Sequence, residues 1–168
     1  GRDGELISSN NQEATMVYKG EIELEIGSNY NKLIKGFNLN FAYPNNQIEI
    51  TDVSGPDENF HFDIDKENGI LKVIWLDEND DINKKFFGET LFRVKVKQKT
   101  YSVLEEGGGF SLLEGGMVLD SKSKEIENIE ISLPRIITTS SSSIPNPALN
   151  MEVICYPNPV ISNLNLKI

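Results

Sequence analysis

The one histidine of the chain, His61, stands between Phe60 and Phe62 in a stretch where apolar and polar residues alternate. Successive side chains of a strand point to opposite faces, so its imidazole faces away from both rings. A nucleophilic triad would need that imidazole to activate a serine or cysteine and to be oriented by a third group. No nucleophile motif accompanies it, and His61 reads as an ordinary exposed strand residue. Cys155 is the single cysteine; it can close no intrachain disulfide, lacks the Cys/His spacing of a zinc site, and reads as a small buried hydrophobe. The Gly107-Gly108-Gly109 run lacks the lysine and helix of a phosphate loop and reads as a flexible turn. Arg2-Asp3-Gly4 spells an integrin-recognition tripeptide, which at a frayed terminus is a coincidence.

Oxygen ligands are more plentiful. Asp63-Ile64-Asp65-Lys66-Glu67-Asn68-Gly69 and Asp77-Glu78-Asn79-Asp80-Asp81 are acidic stretches. Counted from Asp63 or Asp77, neither has glycine sixth or an acid twelfth, so neither is an EF-hand loop. Asp77, Asn79 and Asp81 are the set that could gather calcium outside a helical frame, and the plainer reading is a solvated acidic turn. Carboxylate pairs for sugar hydrolysis could be drawn from the same loops, but their separation decides such chemistry and sequence does not set it. The chain therefore reads as a protein without catalytic residues, resident metal or other cofactor.

Charge excludes a further class. Sixteen Lys and Arg against twenty-six Asp and Glu give a formal charge of −10, the wrong sign for a protein that grips phosphate backbones. No nucleic-acid partner is expected. No run of about 18 apolar residues is present to span a bilayer as a helix, and no charged-then-apolar leader opens the chain.

The elements that must position these residues are strands. Ile22, Leu24 and Ile26 alternate with Glu21, Glu23 and Glu25, and Phe37, Leu39, Phe41 and Tyr43 alternate with Asn38, Asn40 and Ala42. Further strands are expected over 47–53, 59–64, 70–76, 91–99, 109–113, 117–120 and 126–133. A further short one is expected near Leu6 and Ile7. Turn residues such as Tyr43-Pro44-Asn45-Asn46, Ser54-Gly55-Pro56-Asp57 and Glu67-Asn68-Gly69 separate them, the pattern of an antiparallel sandwich or barrel. The division expected is a β-sandwich over 1–133, a Ser/Thr/Pro linker over 134–150 and a short β tail over 151–168.

The block from Gly20 to Leu133 resembles a cohesin domain. The likeness is carried by Gly36-Phe37-Asn38-Leu39-Asn40-Phe41-Ala42-Tyr43, Ile48-Glu49-Ile50-Thr51-Asp52-Val53, Gly69-Ile70-Leu71-Lys72-Val73-Ile74-Trp75 and Gly88-Glu89-Thr90-Leu91-Phe92-Arg93-Val94. In order and spacing these look like the family's strands three, four, six and seven; the opening strand and the 105–116 stretch depart from the pattern. The resemblance implies an all-β, nine-stranded antiparallel jelly-roll sandwich, related in architecture to several carbohydrate-binding modules. It also implies a sheet of strands three, five, six and eight through which cohesins engage dockerins. With Phe37, Leu39, Phe41, Phe60, Phe62, Leu71, Val73 and Trp75 facing the core, Asn38, Asn40, His61, Asp63, Ile70, Lys72 and Ile74 form the partner face. Asn38 and Asn40 match the polar positions of the family's third strand.

The tail, Met151-Glu152-Val153-Ile154-Cys155-Tyr156-Pro157-Asn158-Pro159 followed by Leu164, Leu166 and Ile168, is similar to the start of a type IX secretion sorting domain. Tyr156, Pro157, Asn158 and Pro159 would form its bend, because proline fixes φ and removes amide donors. Leu164, Leu166 and Ile168 would form one apolar strand face. This likeness implies a Gram-negative envelope, export through periplasm and outer membrane by the type IX machinery, and a cell-surface or extracellular destination. Together the two resemblances imply a non-catalytic surface binding or adhesion module with a dockerin-like protein or a glycan as partner. The alternatives are a carbohydrate-binding module of the same shape, disfavoured because Trp75 is assigned inward, and an accessory component or bound passenger of the type IX secretion or gliding machinery.

Charge adds one topological expectation. Strand two presents Glu21, Glu23 and Glu25, and the strand of Phe92, Val94 and Val96 presents Arg93, Lys95 and Lys97, continued by Lys99. In the cohesin arrangement these strands are neighbours, so the rows should pair; the competing reading is a basic ligand patch.

Overall fold

In the computed structural model, residues 7–17, 20–78, 85–99 and 109–139 are described. They form ten strands: β1 (Ile7–Val17), β2 (Glu21–Ser28), β3 (Ile34–Ala42), β4 (Ile48–Ser54), β5 (His61–Asp65), β6 (Ile70–Leu76), β7 (Phe92–Gln98), β8 (Ser111–Leu112), β9 (Met117–Asp120) and β10 (Ile129–Thr139). No helix occurs among the described residues, so none there is long and apolar enough to cross a membrane. One sheet runs β1-β10-β2-β7-β4 and the other β5-β6-β3-β8, with β9 also pairing β3. The two close face to face as a sandwich.

Alternation produces this directly. In β6, Leu71, Val73 and Trp75 are buried while Lys72, Ile74 and Leu76 are exposed, and in β7 Phe92, Val94, Val96 and Gln98 are buried while Arg93, Lys95 and Lys97 are exposed. Inward residues of both sheets merge into one core with an aromatic centre. Phe37 lies 5.7 Å from Trp75 and 6.2 Å from Phe92, and Phe60 stacks on Phe92 at 6.0 Å. Trp75 is buried as expected, and its indole Nε1 donates to Asp57 Oδ1 at 2.8 Å. The ring thus loses no hydrogen bond on leaving water.

Turn chemistry fixes the β5–β6 register. Gly69 has φ of 69°, and a Cβ there would stand 2.7 Å from the Tyr43 carbonyl oxygen, so both conformation and space require glycine. Asp65 closes the turn by accepting from the Asn68 backbone amide at 3.1 Å and from its side-chain Nδ2 at 2.8 Å. The neighbouring Asn45 side chain donates to the carbonyls of Lys66 and Glu67, tying this turn to the β3–β4 connection.

Three expectations need correction. Phe62, assigned to the core, is 45% exposed. It faces the same way as its partner Val73, but β5 is an edge strand whose inner face overhangs the sandwich rim; only Phe60 and Ile64 gain partial cover from the core. Second, β10 continues past the expected linker start at 134 to Thr139, with Pro134 and Ile136 buried. Third, β10 is held there by a parallel ladder with β1 that pairs Ile7 with Ile129 and Val17 with Thr139, where antiparallel strands throughout were expected. The tail over 151–168, including Tyr156, Pro157, Asn158, Pro159, Leu164, Leu166 and Ile168, lies outside the described residues.

Candidate docking face

The outer face of the β5-β6-β3 sheet is built in rows, because antiparallel register sets residues opposite one another and same-parity side chains share a side. One row crosses four strands as His61, Ile74, Asn38 and Met117. The next is Asp63, Lys72 and Asn40, and a third is Asp65, Ile70, Ala42 and Ser111. All seven residues assigned to the face from sequence, Asn38, Asn40, His61, Asp63, Ile70, Lys72 and Ile74, are brought together on one side. Five are exposed, while Asn40 and Ile70 are half-buried.

Two further residues belong to this face. Leu76 continues the parity of Ile70, Lys72 and Ile74 and is 46% exposed. It pairs with Gly36, and its Cδ1 lies 3.1 Å from where a Gly36 Cβ would stand, so the leucine covers the floor that glycine leaves bare. Met117, on β9, is 37% exposed beside Asn38. With Ile74 at 49% exposure, these make an apolar patch at the Leu76 end of the sheet. Leu76 was legible from strand parity, whereas Met117 required knowing that β9 lies against β3.

The other end of the face is polar. Lys72 sits opposite Asp63 on β5 and Asn40 on β3. Asp65 is held below the ordinary aspartate range, first by its hydrogen bonds from Asn68 and also by the nearby Lys72 ammonium. Apolar contacts at one end and hydrogen-bonding groups of both signs at the other give a surface suited to a protein partner with a similar gradient. His61 contributes an exposed ring beside Ile74.

Of the acidic set Asp77, Asn79 and Asp81, only Asp77 is among the described residues. Asp77 Oδ2 lies 3.8 Å from Lys35 Nζ. Among the described residues no group of three His, Cys, Asp or Glu is placed to hold a metal ion.

On the opposite sheet the charge rows pair as expected: Glu21 with Lys97, Glu23 with Lys95, and Glu25 with Arg93. The Arg93 guanidinium reaches Glu25 Oε2 at 2.8 Å. β4 flanks the same cations from the other side, Glu49 opposite Lys97 and Asp52 opposite Lys95. Lys95 and Lys97 therefore run between carboxylates on both sides, and Arg93 is bound to Glu25, which disfavours use of the row as an anion-binding patch.

No family model matches the sequence, and no curated protein matches it. Solved structures do. The sixth cohesin of Acetivibrio cellulolyticus scaffoldin B, in complex with a Cel5 dockerin mutant, superposes with a TM-score of 0.60 at 14% identity, over 73% of this chain and 92% of that one. The OlpA cohesin of a type I cohesin–dockerin complex from Clostridium thermocellum gives 0.59 at 16% identity, over 79% and 98%. Type II cohesin A11 from Bacteroides cellulosolvens gives 0.55 at 14%, over 73% and 94%. At these identities the likeness establishes the fold, a cohesin-type jelly-roll sandwich.

Proposed function

We propose that this chain is a non-catalytic docking module that binds a protein partner across the outer face of β5, β6, β3 and β9, and that its tail directs export to the cell surface by type IX secretion. The observation that carries the docking reading is the exposed patch of Ile74, Leu76 and Met117 beside the hydrogen-bonding row of Asp63, Lys72 and Asn40. Large apolar side chains on adjacent strands of one open face mark interaction surfaces more than isolated ones do. Two of the similar structures are cohesins in complex with dockerins, which supports a dockerin-like module as the partner. A carbohydrate-binding use of this same face is less favoured, since Trp75 is buried and neither Phe60 nor Phe62 faces this side.

Export rests on the tail motif Tyr156-Pro157-Asn158-Pro159 with Leu164, Leu166 and Ile168. The docking reading is tested with the wild-type chain and its Ile74→Asp variant, immobilised side by side and presented with a panel of dockerin modules and with envelope extract. A partner retained by the wild type and lost from the variant is the expected result. Equal retention on both would overturn the assignment to this face. Recovery of outer-membrane secretion components alone would instead favour the reading as a passenger of that machinery.

A further inference from the structure

The end of the sandwich opposite the β3–β4 connection holds a second concavity, outside the docking face. The β4–β5 loop and the residues leading into β7 border a half-open pocket of about 390 Å³, within the roughly 300–1,000 Å³ of small-ligand sites. Hydrogen bonds and ring contacts hold several of its lining segments. Gly88 donates its amide to the Lys32 carbonyl at 3.1 Å, and its own carbonyl accepts from the Ser28 amide at 2.9 Å and hydroxyl at 2.7 Å. Ile34 and Leu91 amides donate to the carbonyls of Phe86 and Ile26 at 3.0 and 2.8 Å. Phe86 is fixed edge-on against Trp75 at 5.2 Å, and a Cβ on Gly55 would overlap the Phe60 ring.

This frame presents a particular mixture. Phe87 is 47% exposed, although its backbone is tied to Leu33 by a bridge. With Pro56 and Phe86 it forms the apolar lining, while Lys85, Glu89 and Arg93 supply the polar one. Arg93 already pairs with Glu25 at 2.8 Å, and a guanidinium carries five donors. Glu89 and Glu25 offset Arg93 and Lys85, so the pocket lacks the cationic excess that would select phosphate. A lipid chain would offer no hydrogen-bond partner to Lys85, Glu89 or the remaining donors of Arg93. A ring with apolar C–H faces and hydroxyls that both donate and accept satisfies all of these groups, stacking on Phe87 and bonding to carboxylate and guanidinium. From this we infer that the pocket binds a neutral saccharide. The site lies apart from the β5-β6-β3 face, so one molecule could hold a protein and a glycan together, and the assignment stands without the docking reading.

The test is amide NMR of the full chain titrated with soluble cello-, xylo- and manno-oligosaccharides, with oligogalacturonate as the anionic comparison. Saturable shifts at the amides of Gly55, Gly88 and Thr90 with at least one neutral glycan are expected. Phe87→Ala and Glu89→Gln should each weaken that binding about tenfold, while Ile74→Asp leaves it unchanged. Phe87 and Glu89 are both exposed, so wild-type-like spectra of their variants will show that the fold survives. No shift with any neutral glycan at millimolar concentration, shifts confined to other amides, a response to the anionic glycan alone, or unweakened binding by both pocket variants would each overturn the proposal.

Discussion

Trp75 concentrates what single residues contribute here. Its ring contacts Phe37 and Phe86 in the core, and its one polar atom is paired with Asp57. Replacing Trp75 by alanine should cost about 3–5 kcal/mol in denaturant unfolding, through lost burial and the cavity left behind. A cost near zero would mean that the ring does not pack as described. Asp57→Ala should cost about 1–3 kcal/mol, because it strands the indole N–H against the core, while Asp57→Asn keeps an acceptor and should cost less. Gly69→Ala combines a left-handed φ with a collision against the Tyr43 carbonyl and should destabilise by more than about 1 kcal/mol. The inward parity of Trp75 was legible from alternation alone. The exposure of Phe62 was not, because parity names a face but does not say whether the strand lies at the centre or the rim of its sheet.

At the scale of elements, the charge rows of β2 and β7 show how pattern can determine pairing. Either row alone would repel itself, and side by side the three cross-strand pairs are each of opposite sign. Exposed pairs contribute only about 0.2–1 kcal/mol apiece. Reversing Glu23→Lys should therefore destabilise by that order, and adding Lys95→Glu should restore part of the loss; a double variant no better than the sum of the singles would remove the pairing term. This adjacency was readable only through the cohesin likeness, since periodicity gives strands but not neighbours. The same gap hid Met117 and the parallel β1–β10 ladder. The Ser/Thr-rich sequence after Pro134 resembles linker composition, yet its first residues pair with β1 out to Thr139. Hydrogen exchange checks this: the Ile136 amide should exchange slowly, at the rate of sheet amides, whereas exchange as fast as an open coil would return that stretch to the linker.

Across the whole molecule, the residues proposed for docking and those proposed for export lie in separate segments of the chain. The docking patch is confined to β5, β6, β3 and β9, and strand β10 closes the described sandwich at Thr139, before the tail motif begins. Ile74, Leu76 and Met117 project outward and contribute little to the core, so a charge placed there should leave stability nearly unchanged while removing the apolar contact a partner needs. Leu164, Leu166 and Ile168 alternate with polar residues in the sequence, and asparagine at all three would erase the apolar pattern on which the sorting proposal rests. In a host with the type IX pathway, a full-length version of the protein carrying Ile74→Asp should still reach the surface but lose its partner. The version with the three tail substitutions should bind the same partner when purified, yet remain periplasmic. Surface delivery of the tail variant would remove the sorting assignment, and retention of partner binding by Ile74→Asp would remove the docking one. Loss of both properties in either variant would show that the two segments act as a unit, contrary to their separation in the chain.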